Sequence, residues 1–124
     1  MMAITKKLII ALTVLPFITH ANSNEEASKY FDVKDKYAQS DRELNEIYSH
    51  QMQQYKKEGA EFYGQIVSKD IFLKKSQQVW IKFRDASCDY ETYESQTGTG
   101  YQSIYAQCLL DKTNERIKYL RENN

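Results

Sequence analysis

The sequence predicts an all-α protein in which an antiparallel helical hairpin carries a third helix, stapled to it by a disulfide. Three observations predict it. After Pro16 the chain contains no proline and only four glycines (Gly59, Gly64, Gly98, Gly100), and its polar residues are mainly Gln, Glu, Lys and Arg, a helix-forming mixture. Apolar residues recur every three or four positions, as one face of a helix requires. The two cysteines, Cys88 and Cys108, stand on either side of the clearest loop segment.

The chain opens with Lys6 and Lys7, then an apolar run from Leu8 to Ile18 broken only by Thr13 and Pro16, then Thr19, His20 and Ala21. A basic start, a short apolar run and small residues at Thr19 and Ala21 are the parts of a secretory signal peptide, so residues 1–21 are assigned to it, with cleavage before Asn22. The run is too short to span a bilayer as a helix, which takes about 20 residues. No lipobox cysteine stands at the junction, which favours a soluble periplasmic or secreted protein over a lipoprotein or a membrane-inserted one. Residues 22–124 then make a single small domain. Within it, residues 22–29 read as a loose leader.

The first helix follows from Tyr37, Leu44, Tyr48, Met52 and Tyr55, spaced seven, four, four and three residues apart along one stripe. Ser40 with Glu43 has the form of a capping box that would start the helix there; an earlier start, before Tyr37, fits equally. Gly59 and Gly64 beside Lys56, Lys57 and Glu58 predict a turn or kink between Lys57 and Ser68. Ser68 can cap a second helix, on which Phe72, Val79, Phe83, Ala86 and Tyr90 share the apolar face, with Leu73 and Trp80 at its edge. Trp80 is expected in the core. Ser95, Gln96, Thr97, Gly98, Thr99 and Gly100 cannot sustain a helix and form a loop. A third helix from Tyr101 to Leu120 carries Ile104, Tyr105, Cys108, Leu109, Ile117 and Leu120.

Charge and cysteine content narrow the function. The whole chain balances 17 basic against 17 acidic residues, and removal of Lys6 and Lys7 with the leader leaves a net charge of −2. Nucleic-acid binding needs a clustered basic surplus, so nucleic acid is excluded as the main partner. In an exported chain an isolated even pair of cysteines forms one disulfide, here closing a loop of about twenty residues for about 3 kcal/mol of stability. The rival is a metal site, but two cysteines without CxxC spacing and one mature histidine, His50, cannot supply the usual zinc ligands. No Ser/His/Asp set and no phosphate-cradling glycine motif is present, so the reading is a binding protein, without cofactor, metal or catalytic residues.

The stretch Gln77, Trp80, Arg84, Asp85, Cys88 resembles, in order and spacing, the signature helix of the LprI-like lysozyme-inhibitor family. Asp41, Glu43, Leu44, Asn45 and Tyr48 are similar to its upstream block, and Cys108, Thr113, Arg116 and Leu120 to its closing helix. The resemblance covers about Asp41 to Leu120. Many relatives carry a further cysteine pair before the Glu-Leu-Asn block, and this chain does not. The resemblance implies inhibition of a lysozyme by covering its peptidoglycan-cleaving cleft. The alternatives are a structural or adaptor protein of the cell envelope and a periplasmic immunity protein against another wall-degrading toxin.

Arg84 and Asp85 lie about 100° apart around a helix, so each is expected to bond to a neighbouring helix, with Asn45, Thr113 and Arg116 as candidate partners. The alternative is that Arg84 is presented to a partner's carboxylates. Ten tyrosines are many for this length, and Tyr90, Tyr93, Tyr101 and Tyr105 surround the glycine loop. Tyrosine among Ser, Thr, Gln and Gly is the composition of recognition surfaces. The expected partner-binding residues are therefore Tyr93, Gln96, Thr97, Thr99 and Tyr101 on the loop, together with Arg84.

Overall fold

A computed structural model describes residues 21–124, so the leader lies outside the described residues apart from its last residue. Three helices are present: α1 over Ala21–Glu58, α2 over Lys69–Glu91 and α3 over Tyr101–Glu122, with short 3₁₀ turns at Glu61–Tyr63 and Tyr93–Ser95. No strand occurs among the described residues. None of these helices is long and apolar enough to cross a membrane.

The residues read as a loose leader instead form the first turns of α1, a helix of 38 residues and about 57 Å. Buried Val33, with Tyr30 and Tyr37 packed beside it against Ala106 and Leu110, fixes this end of α1. The earlier of the two possible starts is therefore the real one. Ser40 sits in mid-helix, where its hydroxyl donates to Asn114 of α3 at 2.7 Å. The stripe from Tyr37 to Tyr55 does face the interior, with Leu44 and Tyr55 buried and Tyr48 packed against the core.

α1 ends where expected. Gly59 and Gly64 both take left-handed backbone, φ +68° and +67°, which any other residue would adopt only under strain. Ser68 precedes α2 in extended conformation; its hydroxyl reaches the buried Asp70 carboxylate rather than a backbone N–H.

Cross-helix contacts fix the directions. Ser40 meets Asn114, Gln51 donates to the Leu120 carbonyl and Tyr55 donates to Asn124, so α1 and α3 run parallel. Arg84 meets Asp41 and Lys69 stands over the Tyr55 ring, so α2 runs antiparallel to α1. It runs antiparallel to α3 as well: Arg116 reaches back to Gln77, and Cys88 is bonded to Cys108. The path is up, down, up, with α1 and α3 in the most extensive contact and the disulfide tying α2 to α3.

Two small apolar clusters fill the α1–α3 seam. One is Val33, Ala106 and Leu110; the other is Leu44, Ile117 and Leu120, onto which Ile47, Tyr48, Leu73 and Trp80 lean. α2 contributes differently. Its buried residues are Asp70, Gln77, Arg84 and Cys88, whereas Phe72, Val79, Phe83 and Tyr90 are 59–84% exposed. The face that periodicity placed inside is thus outside. On α3 the inward residues are Ser103, Ala106, Leu110, Thr113, Arg116, Ile117 and Leu120, while Ile104 is exposed.

The polar side of α2 is accepted because its groups find partners. Two arginines and three rings form a column across all three helices: Tyr37, Arg84, Trp80, Arg116 and Tyr119, with guanidinium-to-ring distances of 4.9–5.8 Å. Guanidinium groups are weakly hydrated and stack well on aromatic faces, so they tolerate such a position better than an ammonium would. Arg84 Nε also donates to Asp85 at 2.8 Å, and Arg116 donates to Gln77 Oε1 at 3.0 Å and Ser76 Oγ at 2.9 Å. Adjacent positions on the helix do not keep Arg84 and Asp85 apart, because the long arginine chain bends across to its neighbour. Of the expected partners, Asn45 reaches Arg84 only through Asp41, and Thr113 bonds to neither.

Candidate functional site

The disulfide end of the molecule brings together the C-terminus of α2, the connection to α3 and the first turns of α1. Thr92, buried, donates its hydroxyl to the Cys88 carbonyl at 2.7 Å and so closes α2 one residue beyond Glu91. From there the chain is a run of tight turns rather than an open loop: Ser95 N–H donates to Thr92, Gln96 to Tyr93, Gly98 to Ser95 and Tyr101 to Gly98, at 2.9–3.3 Å. These bonds consume backbone groups that would otherwise bind water and hold the segment in one shape before any partner arrives.

Two glycines permit the tight path. A Cβ on Gly98 would sit 3.3 Å from the Ser95 carbonyl oxygen, and one on Gly100 would sit 3.2 Å from Glu26 Oε2. The second contact shows that the start of α1 buttresses the turn. Sequence reasoning missed both Glu26 and Thr92, the first because it lay in the supposed leader. Thr92 had a readable signal, a hydroxyl four residues after Cys88 at a helix end.

The expected binding residues on the loop stand together. Tyr93 is 69% exposed, and Gln96, Thr97 and Thr99 are exposed around it. Tyr101 is half-buried, its ring 5.8 Å from that of Tyr105. Tyr105 donates to Asp89 at 3.2 Å; burial first, and then this carboxylate partner, raises its phenol above the usual pKa of 10.0. Arg84 does not join them. It lies about 13 Å down α2 by helical rise, its side chain 10% exposed between two rings and two carboxylates.

Carboxylates stand close to the turn: Glu26 lies beside Gly100, Asp89 accepts from Tyr105, and Glu91 is paired with Lys112 at 2.8 Å. Beside the disulfide a shallow groove of about 340 Å³ is lined by Lys29, Glu91, Ile104, Gln107 and Asp111. Among the described residues no group of three or more His, Cys, Asp and Glu is placed to hold a metal ion. What this end presents is a tyrosine ring, small hydroxyls, an amide and several carboxylates.

Comparisons with known proteins show a family and a likeness of fold. The sequence profile described as "Lysozyme inhibitor LprI" matches residues 20–120. An uncharacterized protein of Rhizobium meliloti (strain 1021) is 30% identical over 89 residues, which is 69% of this chain and 64% of that protein's length, less than two thirds of it. The crystal structure of a DUF1311 family protein from Pseudomonas putida KT2440 superposes with a TM-score of 0.60 at 24% identity, covering 77% of this chain and 89% of that one, a likeness of fold.

Proposed function

The chain belongs to the LprI lysozyme-inhibitor family, and from that premise we propose that it is an exported inhibitor that docks its disulfide end into the substrate cleft of a lysozyme. Such a cleft holds the paired carboxylates that cleave peptidoglycan, and a rigid projection that fills it blocks access of the glycan. The observation that carries the reading is the exposed group of Tyr93, Gln96, Thr97 and Thr99 on a backbone already locked by turns, a disulfide and the start of α1. Pre-ordering lowers the entropy lost on binding, and an aromatic ring ringed by small polar groups is a common anchor. Tyr101, half-buried, closes the turn through its N–H to the Gly98 carbonyl.

A net charge of −2 after loss of the leader would draw in a basic enzyme at low salt, and its small size keeps the attraction modest. In this reading Arg84 positions α2 against α1 and contacts no target. Export rests on the basic and apolar leader of residues 1–21, which would deliver the protein to the periplasm or the medium.

Titrating the natively expressed protein against a panel of lysozymes in a peptidoglycan-clearing assay tests the reading. Inhibition of at least one enzyme, weakening as salt is raised, is the expected result. Failure against all of them would favour the cell-envelope adaptor or the immunity protein.

A further inference from the structure

The outward face of α2 is the largest feature that lysozyme binding at the disulfide end leaves unexplained. Phe72, Ser76, Val79, Phe83, Ala86 and Tyr90 follow one another at intervals of four, three, four, three and four residues, the spacing of a coiled-coil seam, and all six are exposed. Phe72, Val79, Phe83 and Tyr90 are 62%, 59%, 62% and 84% exposed. Contiguous apolar surface of this kind marks an interface on a small protein.

We propose that this face pairs with the same face of a second copy of the chain, the two α2 helices running antiparallel. Charge decides the occupant and the direction. Along the exposed sides of α2 the first part carries Lys69, Lys74, Lys75 and Lys82, and the last part carries Asp89 and Glu91, with Asp85 half-buried against Arg84. A parallel pair would set like charges side by side. An antiparallel pair stacks Phe72 on Tyr90, Ser76 on Ala86 and Val79 on Phe83 of the copy, and brings Lys75 to Asp89 twice about the two-fold axis. Lys82 meets its own counterpart at the axis, where long side chains can splay into water. A self-complementary patch of this form closes on itself as a two-fold dimer.

The three rings and Val79 would remove roughly 400 Å² per protomer, about half of what a standard interface takes from each partner. The dimer is therefore weak and reversible. Its two disulfide ends point in opposite directions, which, granted the proposed function, would make it bivalent.

Sedimentation velocity on the natively expressed protein over a wide concentration range tests this. A monomer–dimer equilibrium is expected, weakened about tenfold or more by Phe83→Asp, a substitution at an exposed site that should leave helix content intact. Lys75→Glu should also weaken it, and Lys75→Glu combined with Asp89→Lys should restore it. A monomer at every concentration, or a dimer indifferent to Phe83→Asp and to the charge exchange, would overturn the proposal. So would a monomer in which Phe83→Asp abolishes lysozyme binding, since the face would then belong to the target.

Discussion

Thr113 is fully enclosed, yet its hydroxyl has no hydrogen-bond partner among the described residues. An unsatisfied buried hydroxyl costs about 1–3 kcal/mol, so Thr113→Val is expected to be neutral or to stabilise by about 1 kcal/mol, read from urea unfolding. A clear loss of stability would mean that the hydroxyl is bonded in solution. Trp80 behaves in the opposite way. Its ring packs on Leu44, Ile117 and Leu120 and stacks on both arginines, so Trp80→Ala should cost about 3 kcal/mol with or without a partner. An unchanged melting temperature would refute its part in the core.

Tyr37 gives the column a pH signature. Burial raises its phenol above the usual 10.0, opposed by the Arg84 charge, so the folded state holds this proton more tightly than the unfolded chain does. The stability linked to it is complete below about pH 10 and is lost as pH rises through the higher folded-state value. Tyr37→Phe should therefore flatten the fall in stability measured as pH rises above about 10; an alkaline limb of unchanged slope would contradict this.

At the scale of elements, α2 shows how far the sequence could be read. The turn at Gly59 and Gly64 and the starts of α2 after Ser68 and of α3 at Tyr101 were all legible, because glycine and small polar residues break helices locally, even though the Ser68 hydroxyl caps no backbone N–H. The burial of α2 was not. Hydrophobic periodicity selects the face with Phe72, Val79 and Phe83, whereas the interior face is the one with Gln77, Arg84 and Cys88. Nothing local reveals that two guanidinium groups will be stacked on rings supplied by α1 and α3. The family-like residues marked that face correctly, since Gln77, Trp80, Arg84, Asp85 and Cys88 lie in or beside the column.

With so little aliphatic burial, α2 depends on its covalent tie. Replacing Cys88 and Cys108 together by Ser should lower stability by about 2–4 kcal/mol, as expected for a sequence separation of 20 residues, while circular dichroism still shows helix. Retention of full stability would mean that the polar column alone holds α2. The first turns of α1 escaped notice for the same reason as the α2 face. Polar residues 22–29 resemble a leader until Glu26 meets Gly100 and Val33 meets Ala106.

Over the whole molecule, the family-like residues and the surface assigned to recognition occupy different places. Leu44, Gln77, Arg84, Cys88, Thr113, Arg116 and Leu120 of the former are buried in the interior that joins three helices, and the exposed tyrosine turn lies at one end of it. The most direct measurement of the account is the inhibition constant of the protein against a lysozyme it inhibits, compared with that of a variant in which Gln96 to Gln102 are replaced by Ser and Gly and Tyr93 by Ala. The account predicts an unchanged helical spectrum and at least about a hundredfold weaker inhibition, the loss of a central aromatic anchor and its neighbours. Undiminished inhibition by the folded variant would contradict it and place the target elsewhere on the molecule.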